Sequence, residues 1–197
     1  MPTLSTFDLL NDESPSGTYK VNDDSYVILK RQSDNKINFD DTIINEMIEF
    51  MYKLPPIPNP MRPSTFLKRA QATFSPINYD FGQKTITLPY DDKVPKVVQT
   101  CKTIVENTLR EYNFDKSYNG SHVSMYPDGN AGVDPHEDNE DVIDQTVPIA
   151  SISFGETRKF AFYRHQTSEE RNKQLEKSKA KVNPAPKPVK IVSTNLH

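Results

Sequence analysis

Apolar residues recur at Ile43, Ile44, Met47, Ile48 and Met51, the spacing of one helix face, and Asp40 and Asp41 stand in front of them as capping residues. This helix is expected to end near Leu54, because Pro55, Pro56, Pro58, Pro60 and Pro63 remove backbone donors and force an extended surface connection. A second helical stripe runs through Val97, Val98, Cys101, Ile104, Val105, Thr108, Leu109 and Tyr112 to about Asn113, with Pro95 suited to its first turn. Cys101 falls inside that stripe and reads as a buried structural thiol.

Elsewhere the period is two. Tyr26 to Leu29 reads as an edge strand, and Thr85 to Leu88 as a strand with Ile86 and Leu88 on one face. After the polar turn Tyr118-Asn119-Gly120, the residues His122, Ser124 and Tyr126 alternate with Val123 and Met125, so one sheet face is polar and can line a pocket. Pro127-Asp128-Gly129-Asn130 reverses the chain. Strands are expected at Val147 to Phe154 and Arg158 to Arg164, joined through Gly155-Glu156, and another begins at Val189 to Val192. Helices in the first half and short strands after them give an α+β fold with a mainly antiparallel sheet. Met1 to about Lys36 reads as a polar, mobile arm, residues 37–197 as one domain, and the charged, Pro-containing run 166–188 as an insertion.

Composition changes the picture in one respect. The net charge is -3, yet Arg158 to Lys190 carries ten Lys/Arg against three Glu. That imbalance fits either a basic surface beside a cation-binding centre or a solvated insertion. A single cysteine excludes an internal disulfide, and no apolar run approaches the ~20 residues that span a bilayer, so the chain reads as a soluble intracellular protein.

The chemistry concentrates between Ser121 and His165. His136 and Asp138 are two residues apart, so in extended chain they point the same way and can offer an imidazole nitrogen and a carboxylate oxygen to one ion. Alternatively, His136 is a solvated histidine beside acidic neighbours. Phe66, Phe74, Tyr79, Phe81 and Tyr90, interleaved with Lys68, Arg69 and Lys84, suit either core packing or a platform for stacked bases.

The order of strand, Pro-Asp-Gly turn, His-x-Asp and the run VPIASISFGETRKFAF, with KRAQATF and NYDFG upstream, resembles the AlkB family of Fe(II)/2-oxoglutarate dioxygenases, and its eukaryotic DNA-repair branch most. The resemblance covers Phe66 to His165 and, less firmly, Val189 to His197. It implies a double-stranded β-helix (jelly roll) with N-terminal helices packed on the sheet. It also implies Fe(II) held by His136 and Asp138, and 2-oxoglutarate contacted by Tyr126 and by Ser124, which stands where the family has Asn. Glu140 is implied to read a flipped base, Tyr79 and Phe81 to stack beside it, and Arg69 and Gln71 to lie in the segment leading to this lid. The implied reaction is oxidative dealkylation of N-alkylated bases in DNA or RNA, by a monomer in the nucleus or cytoplasm with no membrane partner. The alternative is a catalytically inactive member that binds nucleic acid or protein.

The chain departs from the family pattern in lacking a second His on a later strand and the two Arg residues beyond it. VKIVSTNLH resembles the strand leading toward them, so the expectation is a domain truncated before its last strands. His122, His165 and His197 are substitutes in principle for the missing ligand. His197 is a terminal residue beside its own carboxylate, and His165 sits at a strand end.

Overall fold

The computed structural model describes residues 14–21, 25–31, 39–59, 62–78, 86–134, 136–156, 158–164, 169 and 189–196. The chain forms two compact units, Phe39–Ile152 on the one hand and Met1–Asn38 with Ser153–His197 on the other. The described residues form a mixed α+β arrangement of small sheets and two helices.

In the second of these units, β1 (Gly17–Lys20) and β2 (Tyr26–Leu29) form an antiparallel pair, with Thr18 opposite Ile28 and Tyr19 opposite Val27. The polar arm thus holds a hairpin rather than one isolated strand. Tyr19 is buried and gives its hydroxyl proton to the Pro15 carbonyl at 2.5 Å.

The Phe39–Ile152 unit begins with α1 (Asp41–Tyr52). Asp40 is its N-cap, accepting the Thr42 N–H at 2.8 Å, and Met47 and Met51 are its buried residues. The proline-rich connection that follows is not wholly unpaired: β3 (Pro58–Asn59) pairs irregularly with β4 (Arg62–Phe66), whose residues are all exposed. Next come β5 (Ala70–Phe74) and β6 (Thr87–Leu88), and then α2 (Lys96–Glu111), with Pro95 as its N-cap. The helix stops in a Schellman turn. Asn113 takes a left-handed conformation (φ 63°), and the N–H groups of Asn113 and Phe114 reach the carbonyls of Arg110 and Leu109 at 3.1 and 3.0 Å. Cys101 is half-buried on this helix, and burial pushes its thiol up to about 11, as a structural cysteine requires.

β5 is the centre of a three-stranded sheet in the order β6, β5, β7, where β7 is Ser121–Met125. β7 runs antiparallel to β5 and β6 runs parallel to it, so the sheet is not uniformly antiparallel. Both helices lie on the face that carries Ala70, Ala72, Phe74, Leu88, Val123 and Met125. There these residues meet Met47, Met51, Val94, Val97 and Val98 in one apolar core. The opposite face carries Gln71, Thr73, His122 and Ser124, with Gln71 opposite Ser124 and Thr73 opposite His122.

The strand expected over Val147 to Phe154 does not form. Pro148 has no N–H to donate, and Ile149 and Phe154 are exposed at 65% and 41%, so the alternating side chains have no sheet face to enter. Gly155, at φ 91°, turns the chain toward β8 (Arg158–Arg164). That strand pairs antiparallel with β9 (Val189–Leu196), with a bulge between Phe162 and Tyr163. On it the Phe160 and Phe162 rings meet edge to face at 5.1 Å. The expected insertion at 166–188 lies outside the described residues except for Glu169. Among the described residues, no helix is long and apolar enough to cross a membrane.

Candidate metal centre and co-substrate face

The polar face of the sheet exists because β5 and β7 each alternate. Along β5 the even positions are Ala, Ala and Phe, and they enter the core; the odd ones are Gln71 and Thr73. Both are only 3% exposed. A buried polar side chain needs a partner, and each has one. Gln71 Oε1 accepts from Arg69 Nε at 2.9 Å, and Thr73 Oγ1 lies 2.9 Å from His122 Nδ1. The other ring nitrogen of His122 lies 3.2 Å from Ser124 Oγ. A hydrogen-bonded chain therefore crosses from β5 to β7 and returns along β7 to Ser124.

His122 is an exposed residue of β7, yet desolvation of its ring, with Arg69 and then His136 nearby, pushes its pKa down to about 4. The ring is neutral at physiological pH. Each of its ring nitrogens lies within hydrogen-bond distance of a hydroxyl.

Tyr126 follows β7 directly and is half-buried. The Pro127-Asp128-Gly129-Asn130 turn forms as expected, with Asp128 accepting the Asn130 and Ala131 N–H groups at 2.7 and 3.1 Å. The loop beyond it is tied back to the polar face by Arg69, whose guanidinium donates to Gln71 and also to the Gly132 carbonyl at 2.8 Å. Arg69 is therefore a brace for this loop, a role the sequence did not suggest.

His136 and Asp138 sit on the braced loop. His136 Nδ1 lies 2.8 Å from the Asp134 carbonyl, which can only accept, so in the neutral ring Nδ1 carries the proton. The lone pair is then on Nε2, which stands 3.7 Å from Asp138 Oδ1. Two lone-pair donors side by side, both reachable from solvent, make a candidate edge for a cation site. A neutral imidazole with a carboxylate is the donor set that Fe(II) takes in a two-histidine, one-carboxylate centre. Among the described residues, no group of three His, Cys, Asp or Glu forms around them. His165 and His197 lie outside the described residues, as do Tyr79 and Phe81. Glu140 is half-buried two residues beyond Asp138, and Gln145 Nε2 donates to the Asp138 carbonyl at 3.3 Å, closing the loop on itself.

A second anchor holds the far end of the loop. Glu106, on α2, accepts from Lys102 Nζ at 2.6 Å, Ser117 Oγ at 2.8 Å and the Tyr118 N–H at 2.9 Å. Burial opposes its ionisation, but these donors outweigh that and hold its carboxyl below the usual range. Tyr118 in turn gives its hydroxyl proton to the Pro148 carbonyl. A cavity of about 410 Å³ beside α2 is lined by Tyr90, Asp91, Gln99, Lys102 and Glu106 among others, and by none of the candidate residues.

Sequence reasoning missed Thr73, Gly132 and the strand that carries Thr73. The signal was present in Ala70-Gln71-Ala72-Thr73-Phe74, which alternates strictly, but alanine gives a weak apolar mark.

No curated protein and no solved structure matches the chain. The profile of the 2OG-Fe(II) oxygenase superfamily matches residues 46–182, which takes in the C-terminal part of α1, the three-stranded sheet, the braced loop and β8. With a histidine-carboxylate pair beside a polar sheet face inside that match, the chain belongs to the 2OG-Fe(II) oxygenase superfamily, whose members use Fe(II) with 2-oxoglutarate as co-substrate.

Proposed function

We propose that the protein is an AlkB-like dioxygenase that removes N-alkyl groups from bases in DNA or RNA, on a jelly-roll scaffold. The observation that carries this reading is the His136–Asp138 edge, with its metal-binding tautomer, on a loop braced against the Gln71, Thr73, His122 and Ser124 face. The AlkB-like run of residues on both sides of that edge supports the choice of substrate class.

In this reading, His136 Nε2 and Asp138 hold Fe(II), and Ser124 and Tyr126 contact a carboxylate of 2-oxoglutarate. Bound together, the metal and co-substrate supply oxidation of the C–H bond next to a base nitrogen. 2-Oxoglutarate and dioxygen are consumed, and succinate, carbon dioxide and an aldehyde are released. The protein's own work is ligation, orientation and exclusion of water. Glu140 meets the hydrogen-bonding edge of a flipped base, while Phe81 and Tyr79 offer it ring faces, which lowers the cost of taking it out of the stack. Arg69 holds the ligand loop against the sheet. Basic residues after Arg158 hold phosphates, which position a strand without reading its sequence.

The deciding experiment measures Fe(II)-dependent succinate and formaldehyde release from N-methylated single- and double-stranded oligonucleotides. Stoichiometric release that stops in His136→Ala is the expected result. Succinate release without any aldehyde from a nucleic acid would keep the oxygenase and reject the substrate class. Nucleic-acid binding without turnover would favour the inactive binding module.

A further inference from the structure

A serine hydroxyl can donate or accept, so Ser124 can hold a carboxylate only if its proton is directed toward it. The related position in AlkB-like proteins is Asn, whose amide nitrogen only donates. We propose that His122 is the positioning residue that fixes this direction, holding Ser124 as a donor toward the 2-oxoglutarate carboxylate. This rests on the reading of Ser124 as a co-substrate contact.

The direction of the Ser124 proton depends on where the other protons can go. A neutral imidazole has one N–H and one lone pair, so two arrangements are available between Thr73, His122 and Ser124. In one, Nδ1–H donates to Thr73 Oγ1, and Nε2 consumes the Ser124 proton. Thr73, 3% exposed, would then carry a buried O–H with no acceptor, since His122 is its side-chain partner among the described residues. A buried hydroxyl left in that condition gives up its hydrogen bond to water with nothing in exchange. In the other, Thr73 gives its proton to Nδ1 at 2.9 Å, and Nε2–H donates to Ser124 Oγ at 3.2 Å. The Ser124 oxygen is then occupied as an acceptor, and its own proton is left to point away from the sheet, where the side chain is half-buried rather than closed in.

Burial therefore decides the tautomer. The buried hydroxyl must use its proton inside the protein, and the open one keeps its proton for a ligand. The neutral state of the ring, set by its surroundings and by Arg69, is consistent with this relay. Neither Thr73 nor His122 needs to touch the co-substrate.

The test uses the full chain and three readouts. First, ¹⁵N–¹H correlation spectra of the ring identify the His122 tautomer: Nε2–H is expected, and Nδ1–H overturns the proposal without any variant having to fold. Second, calorimetric titration of 2-oxoglutarate into the Mn(II)-loaded protein should show His122→Leu binding about tenfold more weakly, the effect of one hydrogen bond to a charged acceptor. His122→Gln, whose amide can accept from Thr73 and donate to Ser124, should restore most of that loss. Third, Ser124→Ala should weaken binding by itself and leave His122→Leu with no further effect, the coupling expected if one acts through the other. If Ser124→Ala weakens binding and His122→Leu does not, the relay is wrong while the co-substrate reading stands. If Ser124→Ala changes nothing, or the protein does not bind 2-oxoglutarate, the co-substrate reading of Ser124 fails and the relay falls with it.

Discussion

His136 and Asp138 face each other through a lone pair on Nε2 and a carboxylate oxygen 3.7 Å apart, because the Asp134 carbonyl has taken the other ring nitrogen at 2.8 Å. A backbone carbonyl two residues away thus selects the tautomer with its lone pair on Nε2, and it does so independently of side-chain substitutions at Asp134.

It follows that His136→Ala and Asp138→Ala each lose at least the roughly 10–100-fold in metal affinity that removing even an outer-shell partner costs. Titration with Mn(II) under anaerobic conditions measures this. Asp134→Ala, which keeps the carbonyl, should bind metal as the unmodified chain does. Equal loss in Asp134→Ala would show that its side chain, not its backbone, supports the site.

Arg69 ties β5 to the loop through two separate contacts, Gln71 Oε1 and the Gly132 carbonyl. Arg69→Ala should raise amide exchange across residues 130–134 by about tenfold or more while leaving the α1 and α2 amides unchanged. Arg69→Lys should not rescue it, because an ammonium lacks the planar fork that reaches both acceptors. Unchanged exchange in the loop would mean that Arg69 does not brace it.

His122 has its pKa lowered to about 4 in the fold, against about 6.5 in an unfolded chain, so the unfolded state takes up the proton first. Its contribution to stability is fully present above pH ~6.5 and is lost as pH falls toward the folded value of about 4. Glu106, with a lowered carboxyl pKa, acts at lower pH, where its contribution is present above the unfolded value of ~4.3 and lost below it. Melting temperature against pH should therefore fall in two stages. His122→Gln should remove the first stage and Glu106→Gln the second. A profile that is flat from pH 7 to pH 4.5 would contradict the first assignment.

Phe74 is 2% exposed at the centre of the sheet, with the Phe50 ring of α1 5.9 Å away. Phe74→Ala should cost about 3–5 kcal/mol, read from denaturant unfolding of the full chain, because the cavity opens where both helices meet β5. A loss under ~1 kcal/mol would mean that the core closes around the gap.

Helices with strong periodicity were legible residue by residue. The Asp40 cap, the Met47 and Met51 stripe, the place of Cys101 on the apolar stripe and the end near Asn113 follow from local spacing and local hydrogen bonds, whereas Cys101 is half-buried and not fully buried as expected. The alternation of β7 was legible for the same reason. It separated Val123 and Met125 from His122 and Ser124 before any partner strand was known, and the Fe(II) and 2-oxoglutarate expectation came from motif order in the same region.

What only the tertiary structure decided was pairing. No local pattern says that β5 lies between β6 and β7, that β6 runs parallel to it, or that Val147 to Phe154 goes without a partner despite its strand-like sequence. Strand pairing is a non-local contact, and its partner is chosen by where the helices leave room. The same holds for the site. His136 and Asp138 could be named from their spacing, but the Thr73–His122–Ser124 chain depends on register between strands 49 residues apart in sequence. The Arg69 brace spans 63 residues. The residue types of the site were written in the sequence, whereas their protonation and support were set by what the fold brings beside them.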